Sequence, residues 1–153
     1  MVNYNELKIQ LKGLIDGDES KISILSNASA LINISLDNLN WCGFYILKDN
    51  FLYLGPFQGK PACIKIKVGN GVCGTTIKED KTIVVKNVHE FRGHIACDSN
   101  SNSEICVPIH LNNEIYGLLD IDSPILNRFS ELDKSNLEEI VNIIEDALAK
   151  AIL

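Results

Sequence analysis

The spacing of apolar residues along this chain changes from helical to alternating and back again. Leu7, Leu11 and Leu14 in residues 3–15, and Ile24, Ala28 and Leu31 in residues 19–37, recur at helical intervals and predict two helices separated at Gly17-Asp18. From Trp41 the period falls to two. WCGFYIL and FLYLGPF, joined across Lys48-Asp49-Asn50, read as a β-hairpin, and CIKIKV reads as a further strand. GNGVCGTTIKED has the form of a glycine-rich loop opening a short helix, and TIVV that of a buried strand. EICVPIHL and EIYGLLDID flank Asn112-Asn113, a pair suited to a two-residue hairpin turn. Helical spacing returns with Leu137, Val141, Ile144 and Leu148, behind a capping pair at Ser130 and Asp133. Helices, hairpin, crossover, hairpin and helix together predict an α+β fold with a central, mostly antiparallel sheet flanked by helices.

Composition narrows the possibilities. The 153 residues are 46% hydrophobic and 22% charged, which fits one globular domain over 1–153. A net charge of -6 argues against a nucleic-acid surface, since phosphate binding relies on clustered Lys and Arg. No apolar run approaches the roughly 20 residues of a membrane span, and MVNYNELKIQLKG lacks the cationic-then-apolar order of a signal peptide. A cytoplasmic protein is expected. Five cysteines, an odd number, then do not suggest a permanent disulfide framework. They are core filler, metal ligands or redox groups.

Alternation also places charge where apolar residues belong. In EIYGLLDID, Tyr116, Leu118, Asp120 and Asp122 fall on one face, with Ile115, Leu119 and Ile121 on the other. A central strand thus ends in two carboxylates, which are either solvated or a seat for a cation such as an amine. Trp41 and Tyr45 share a side, with Gly43 between them leaving either an opening for a small apolar group or ordinary core. Glu104 heads a strand beside apolar residues, as a solvated end or as a proton donor of raised pKa.

Cys42 and Cys106 occupy strand positions where Val or Ile would serve, and are assigned to packing. Cys63, Cys73 and Cys97 lie at or near loops. Cys73 sits near a helix start, where backbone N–H groups favour a thiolate, and His94 precedes Cys97 by three residues with the same potential effect. Cys63, Cys73, Cys97 and His94 are also a conceivable zinc set, although no C-x₂-C or H-x₃-H pair is present. GHIACDSNSNSE around Cys97 has no core character and reads as an exposed, irregular loop.

GPFQGKPAC, VGNGVCGT, GHIACDSNSNSE and GLLDIDSP, in this order behind WCGFYIL, resemble the free methionine-(R)-sulfoxide reductases over roughly residues 38–135. Those are single GAF-domain enzymes that act on the free amino acid. The resemblance implies a GAF-like fold and thiol-dependent reduction of the (R)-sulfoxide with neither metal nor organic cofactor. Cys97 matches the cysteine usually proposed to attack sulfur, Cys63 its disulfide partner, and Cys73 a third redox cysteine that is the nucleophile in some members. Glu104, Asp120 and Asp122 match carboxylates that hold substrate and help protonate the sulfoxide, and Trp41 and Tyr45 match aromatic walls around its methyl group. The implied cycle passes through a sulfenic acid and a disulfide reduced by thioredoxin. Backbone N–H groups of Gly71-Val72-Cys73-Gly74 are candidates for the substrate carboxylate. A homodimer is also implied. The competing readings are a ligand-binding GAF sensor, a redox sensor using the same disulfide, and a zinc module.

Overall fold

Alternating and helical segments sort into one six-stranded sheet with helices on both faces. The computed structural model describes residues 2–95 and 97–153; Met1 and Ala96, the latter inside GHIACDSNSNSE, lie outside them. Helices α1 (Tyr4–Ile15) and α2 (Lys21–Ser35) precede strands β1 (Trp41–Lys48), β2 (Phe51–Gly59) and β3 (Lys65–Lys67). Helix α3 (Gly71–Glu79), β4 (Ile83–Val85) and a 3₁₀ turn (Val88–Glu90) follow, then β5 (Ser103–Leu111), β6 (Glu114–Ser123) and α4 (Glu131–Lys150). The strand order is β3-β2-β1-β6-β5-β4, and each of these pairings is antiparallel. Asn112 and Asn113 both take positive φ (55° and 64°), as a tight hairpin turn requires. Ser130 and Asp133 complete a reciprocal capping box at the start of α4.

The α1, α2 and α4 side holds the larger core. Phe44, Ile105, Val107, Leu119 and Ile121 from the sheet meet Leu7, Leu11, Ile24, Ala28, Leu137 and Val141 from the helices. Each large apolar side chain buried there stabilises the fold by about 1.5–3 kcal/mol. Leu14, expected inward, is 47% exposed, because Leu7, Leu11 and Ile15 form the buried row instead. Helix α3 covers the opposite face, where a smaller cluster includes Trp41, Tyr45, Val72, Cys73, Cys106 and Leu118. This second face carries the candidate site.

Two irregularities shift the expected alternation. Pairing steps from Ile109↔Gly117 to His110↔Ile115, leaving Tyr116 as an extra residue. Tyr116 consequently packs on the α1/α2/α4 side and Ile115 on the α3 side, the reverse of the expectation, while Leu118, Asp120 and Asp122 keep the expected face. In β2 the register moves from Gly43↔Phe57 to Tyr45↔Leu54, so Gly55-Pro56 bulges where proline has no N–H to offer a neighbour. The third strand starts at Lys65, leaving Cys63 in the loop before it.

Candidate functional site

Two cross-strand rows build the site. Val85, Glu104, Asp122, Trp41 and Gly59 are successive partners across β4, β5, β6, β1 and β2. In the next row the partners are Ile83, Cys106, Asp120, Gly43 and Phe57. Partners in a row project to the same face, so the register alone brings three carboxyls, a thiol and two aromatic rings together. Glu104, Asp120 and Asp122 are only 6%, 5% and 8% exposed. None of the ion pairs among the described residues includes any of them.

Burial without a basic partner decides their protonation. Desolvation, then the proximity of Asp120, pushes Glu104 and Asp122 well above the ordinary carboxylate range. Burial also raises Asp120, but hydrogen bonds from Glu104, Cys106 and Cys73 oppose it. Burial thus favours the protonated form of all three, and least so for Asp120.

Cys73 lies in the first turn of α3, yet it is not an activated thiol. A hydrogen bond with Cys106 pulls its pKa down, but burial and the charges of Asp120 and Asp122 outweigh that and push it up to about 12. Burial first, and then the carboxyls it faces, work against the expected helix-terminus activation. Cys106 is fully buried as expected, but it is more than packing: its Sγ lies 3.4 Å from Asp120 Oδ1, 3.5 Å from Glu104 Oε2 and 3.7 Å from Cys73 Sγ. Cys42 points to the other face and belongs to the helix-side core.

Gly43 leaves no opening between Trp41 and Tyr45. A Cβ there would lie 2.3 Å from Phe57 Cβ and 2.8 Å from the Trp41 ring, so glycine is what lets these rings close over the strand. Trp41 stacks on Phe57 (5.2 Å between centroids, 15° between planes) and on Tyr45 (5.9 Å, 25°). The polar tips have a separate task. Trp41 Nε1 donates to the Lys60 carbonyl (3.1 Å) and the Tyr45 hydroxyl to the Cys63 carbonyl (2.8 Å), holding residues 60–63 over the sheet.

Cys63 and Cys97 are joined in a disulfide, with Cα atoms 5.5 Å apart. That pairing dissolves the conceivable zinc set of Cys63, Cys73, Cys97 and His94; grouped metal-ligating side chains occur instead at Cys73, Glu104, Cys106 and Asp120. Burial and then His89 hold the His94 imidazole below its usual pKa, which disfavours the cation expected to assist Cys97. The Ser/Asn segment is also better anchored than a free loop. Ser101 and Ser103 are buried, and Cys97 itself is half-buried. Asn40 Nδ2 donates to Asp98 Oδ2 (2.9 Å) and Ser101 Oγ (3.0 Å), and Asn102 N–H donates to the Ser123 carbonyl (2.8 Å).

A cavity of about 30 Å³ remains between Trp41, Tyr45, Cys97, Asp98, Asp120 and Asp122. It has room for about two water molecules. A larger cleft of about 140 Å³ between α1 and α4, lined by Lys12, Ile15 and Asp146, has no comparable meeting of thiols and carboxyls. Sequence reasoning missed Phe57, Asn40 and the polar role of Cys106. The last was accessible, because Glu104 and Cys106 stand two apart on one strand and must share a face.

Residues 22–148 match the GAF domain family. The free methionine-R-sulfoxide reductase of Escherichia coli (strain K12) is 46% identical over 146 residues, 95% of this chain and 88% of that protein. The fRMsr of Staphylococcus aureus in its reduced form is 56% identical, with 97% of each chain covered and a TM-score of 0.95. The free methionine-R-sulfoxide reductase from Neisseria meningitidis, solved in complex with its substrate, is 35% identical with a TM-score of 0.92, covering 96% of this chain and 89% of that one.

Proposed function

The chain belongs to the GAF-domain family and, within it, to the free methionine-(R)-sulfoxide reductases, and we propose that residues 1–153 form a single GAF domain that reduces free L-methionine (R)-sulfoxide through Cys97 and Cys63. The observation that carries this reading is the Cys63–Cys97 disulfide beside a cavity walled by Trp41, Tyr45, Asp120 and Asp122.

The reaction follows from the groups present. The Cys97 thiolate attacks the sulfoxide sulfur while protonated Glu104 delivers its proton to the oxygen. Oxygen passes to Cys97 as the S–O bond of the substrate breaks, so methionine leaves and Cys97 becomes a sulfenic acid. The Cys63 thiol then displaces that oxygen as water and forms the disulfide. Two thiols supply the two electrons. Thioredoxin restores them by thiol–disulfide exchange. Cys73 is a third redox cysteine whose raised pKa favours a reserve role over first attack.

Ionised Asp120, with Asp122, receives the substrate ammonium, and Trp41 and Tyr45 border the methyl group. The first-turn N–H groups of α3 suit the carboxylate: Gly74 N–H is taken by the Asn70 carbonyl (3.0 Å), leaving those of Gly71, Val72 and Cys73. In the disulfide state Ile95 lies over Gly71, 3.1 Å from where a Cβ would stand. The present cavity is too small for methionine sulfoxide, so the segment around Cys97 opens to admit it. Cytoplasmic residence suits the need for a thiol reductant, and no helix among the described residues is long and apolar enough to cross a membrane. Ile9, Ile22 and Ile34, solvent-exposed on α1 and α2, support a homodimer through these helices.

The test mixes reduced protein with racemic free methionine sulfoxide, thioredoxin, its reductase and NADPH, then resolves the remaining diastereomers. Selective loss of the (R) form, abolished in Cys97→Ser, is expected. Consumption of neither form by folded, reduced protein would refute the proposal.

A further inference from the structure

We propose that Cys73, Cys106, Glu104 and Asp120 form a tetrahedral site for a thiophilic divalent cation, zinc above all. The four ligand atoms lie within 4.8 Å of one another. Zinc takes thiolate sulfur at about 2.3 Å and carboxylate oxygen at about 2.0–2.2 Å, so a regular tetrahedron sets S···S near about 3.8 Å and S···O near about 3.5 Å. Here the two sulfurs are 3.7 Å apart, and Cys106 Sγ is 3.5 Å from Glu104 Oε2 and 3.4 Å from Asp120 Oδ1. Cys73 Sγ is 3.9 Å from Glu104 Oε2. Four of the six pairwise separations thus lie close to zinc-ligand values, and all six are within 4.8 Å.

The supports are rigid. Cys106 and Asp120 are direct partners in the β5–β6 ladder, Glu104 is two residues from Cys106 on the same strand, and Cys73 comes from the first turn of α3. All four side chains are buried, at 0–6% exposure, and no Lys, Arg or His pairs with either carboxylate among the described residues. A buried set of acids and thiols without a basic partner is suited to a cation. Of the four, Asp120 also borders the cavity beside Trp41. Neither Cys63 nor Cys97 is needed, so the disulfide-bonded chain has the complete donor set. This inference rests on its own geometry. Combined with the proposed reaction, it makes zinc and the substrate ammonium competitors for Asp120, and zinc an inhibitor.

The test uses the full chain with its Cys63–Cys97 disulfide intact, titrated with zinc against a chromophoric chelator and examined by zinc X-ray absorption. One zinc per chain is expected, with two sulfurs at about 2.3 Å and two oxygens at about 2.0–2.2 Å. Cobalt in its place should give a thiolate-to-metal charge-transfer band. Cys106→Val should lose affinity by at least about 100-fold, the upper range for losing even a supporting residue of a metal site. Cys42→Val, which changes a buried thiol on the other face, should retain it. Failure to bind zinc, an absorption spectrum without two sulfur neighbours, or undiminished binding by Cys106→Val would each overturn the proposal; the first two need no variant to fold. None of these readouts involves methionine sulfoxide, so they are independent of the enzymatic assay.

Discussion

Glu104 is the residue on which both the proposed chemistry and the expected pH response depend. As the proposed proton donor, it relies on burial, reinforced by Asp120, to favour its protonated form. Glu104→Gln keeps the shape and removes the acid, and should lower the rate of methionine formation by about 10²–10⁴-fold, measured in a single turnover of reduced protein. The same residue shapes stability. Folded Glu104 binds its proton more tightly than the unfolded chain does, so its contribution is complete below the unfolded value of 4.5 and is lost as pH rises through the folded value. Denaturant unfolding should therefore show a shallower fall in stability with rising pH in Glu104→Gln. Gly43 is the opposite kind of residue, important for what it lacks. Gly43→Ala drives a methyl into Phe57 and Trp41 and should destabilise the protein by about 1–3 kcal/mol in the same measurement. Strand parity makes the two carboxylates of β6 and the Trp41/Tyr45 pair legible from the chain. It does not reveal Phe57 above Gly43, because that contact depends on the bulge at Gly55-Pro56 and on cross-strand register.

At the scale of elements, loops are tied to the sheet by the tips of core side chains. Trp41 and Tyr45 hold residues 60–63, and Asn40 holds Asp98 and Ser101. Tyr45→Phe removes the hydrogen bond to the Cys63 carbonyl, worth about 0.5–1.5 kcal/mol. It should slow disulfide formation more than methionine formation when both are followed by acid quench and mass analysis. Equal slowing would locate the role of Tyr45 in substrate binding alone. The helices, hairpins and α4 capping box are local features, and their periodicity and turn residues disclose them. Anchoring of the Ser/Asn segment is different. Ser101 and Ser103 look solvent-seeking in sequence, but long-range partners at Asn40 and Ile125 bury them. A polar run carries no sign of its distant partners.

For the whole molecule, the order of elements is enough to predict an α+β fold with a mostly antiparallel sheet flanked by helices, whereas the pairing of Cys63 with Cys97 is not deducible from spacing. Their sequence separation of 34 is bridged only by folding, and the family resemblance rather than chain periodicity anticipates it. Closing that span stabilises the domain by about 3–4 kcal/mol in the chain-entropy account. Reduction should accordingly lower the melting temperature. Hydrogen exchange should accelerate around residues 60–63 and 93–100, with the β1–β6–β5 sheet centre little changed. Uniform acceleration across the sheet would contradict a local opening.

The reaction at Cys97 and Cys63 is tested by its stoichiometry. Fully reduced protein, without any other reductant, is mixed with excess free methionine (R)-sulfoxide, quenched with acid and alkylated, and both methionine and disulfide-linked peptides are quantified. One methionine per chain, formed together with one Cys63–Cys97 disulfide, is the predicted result. No methionine, or methionine formed while Cys97 remains a free thiol, would rule out reduction through this cysteine pair.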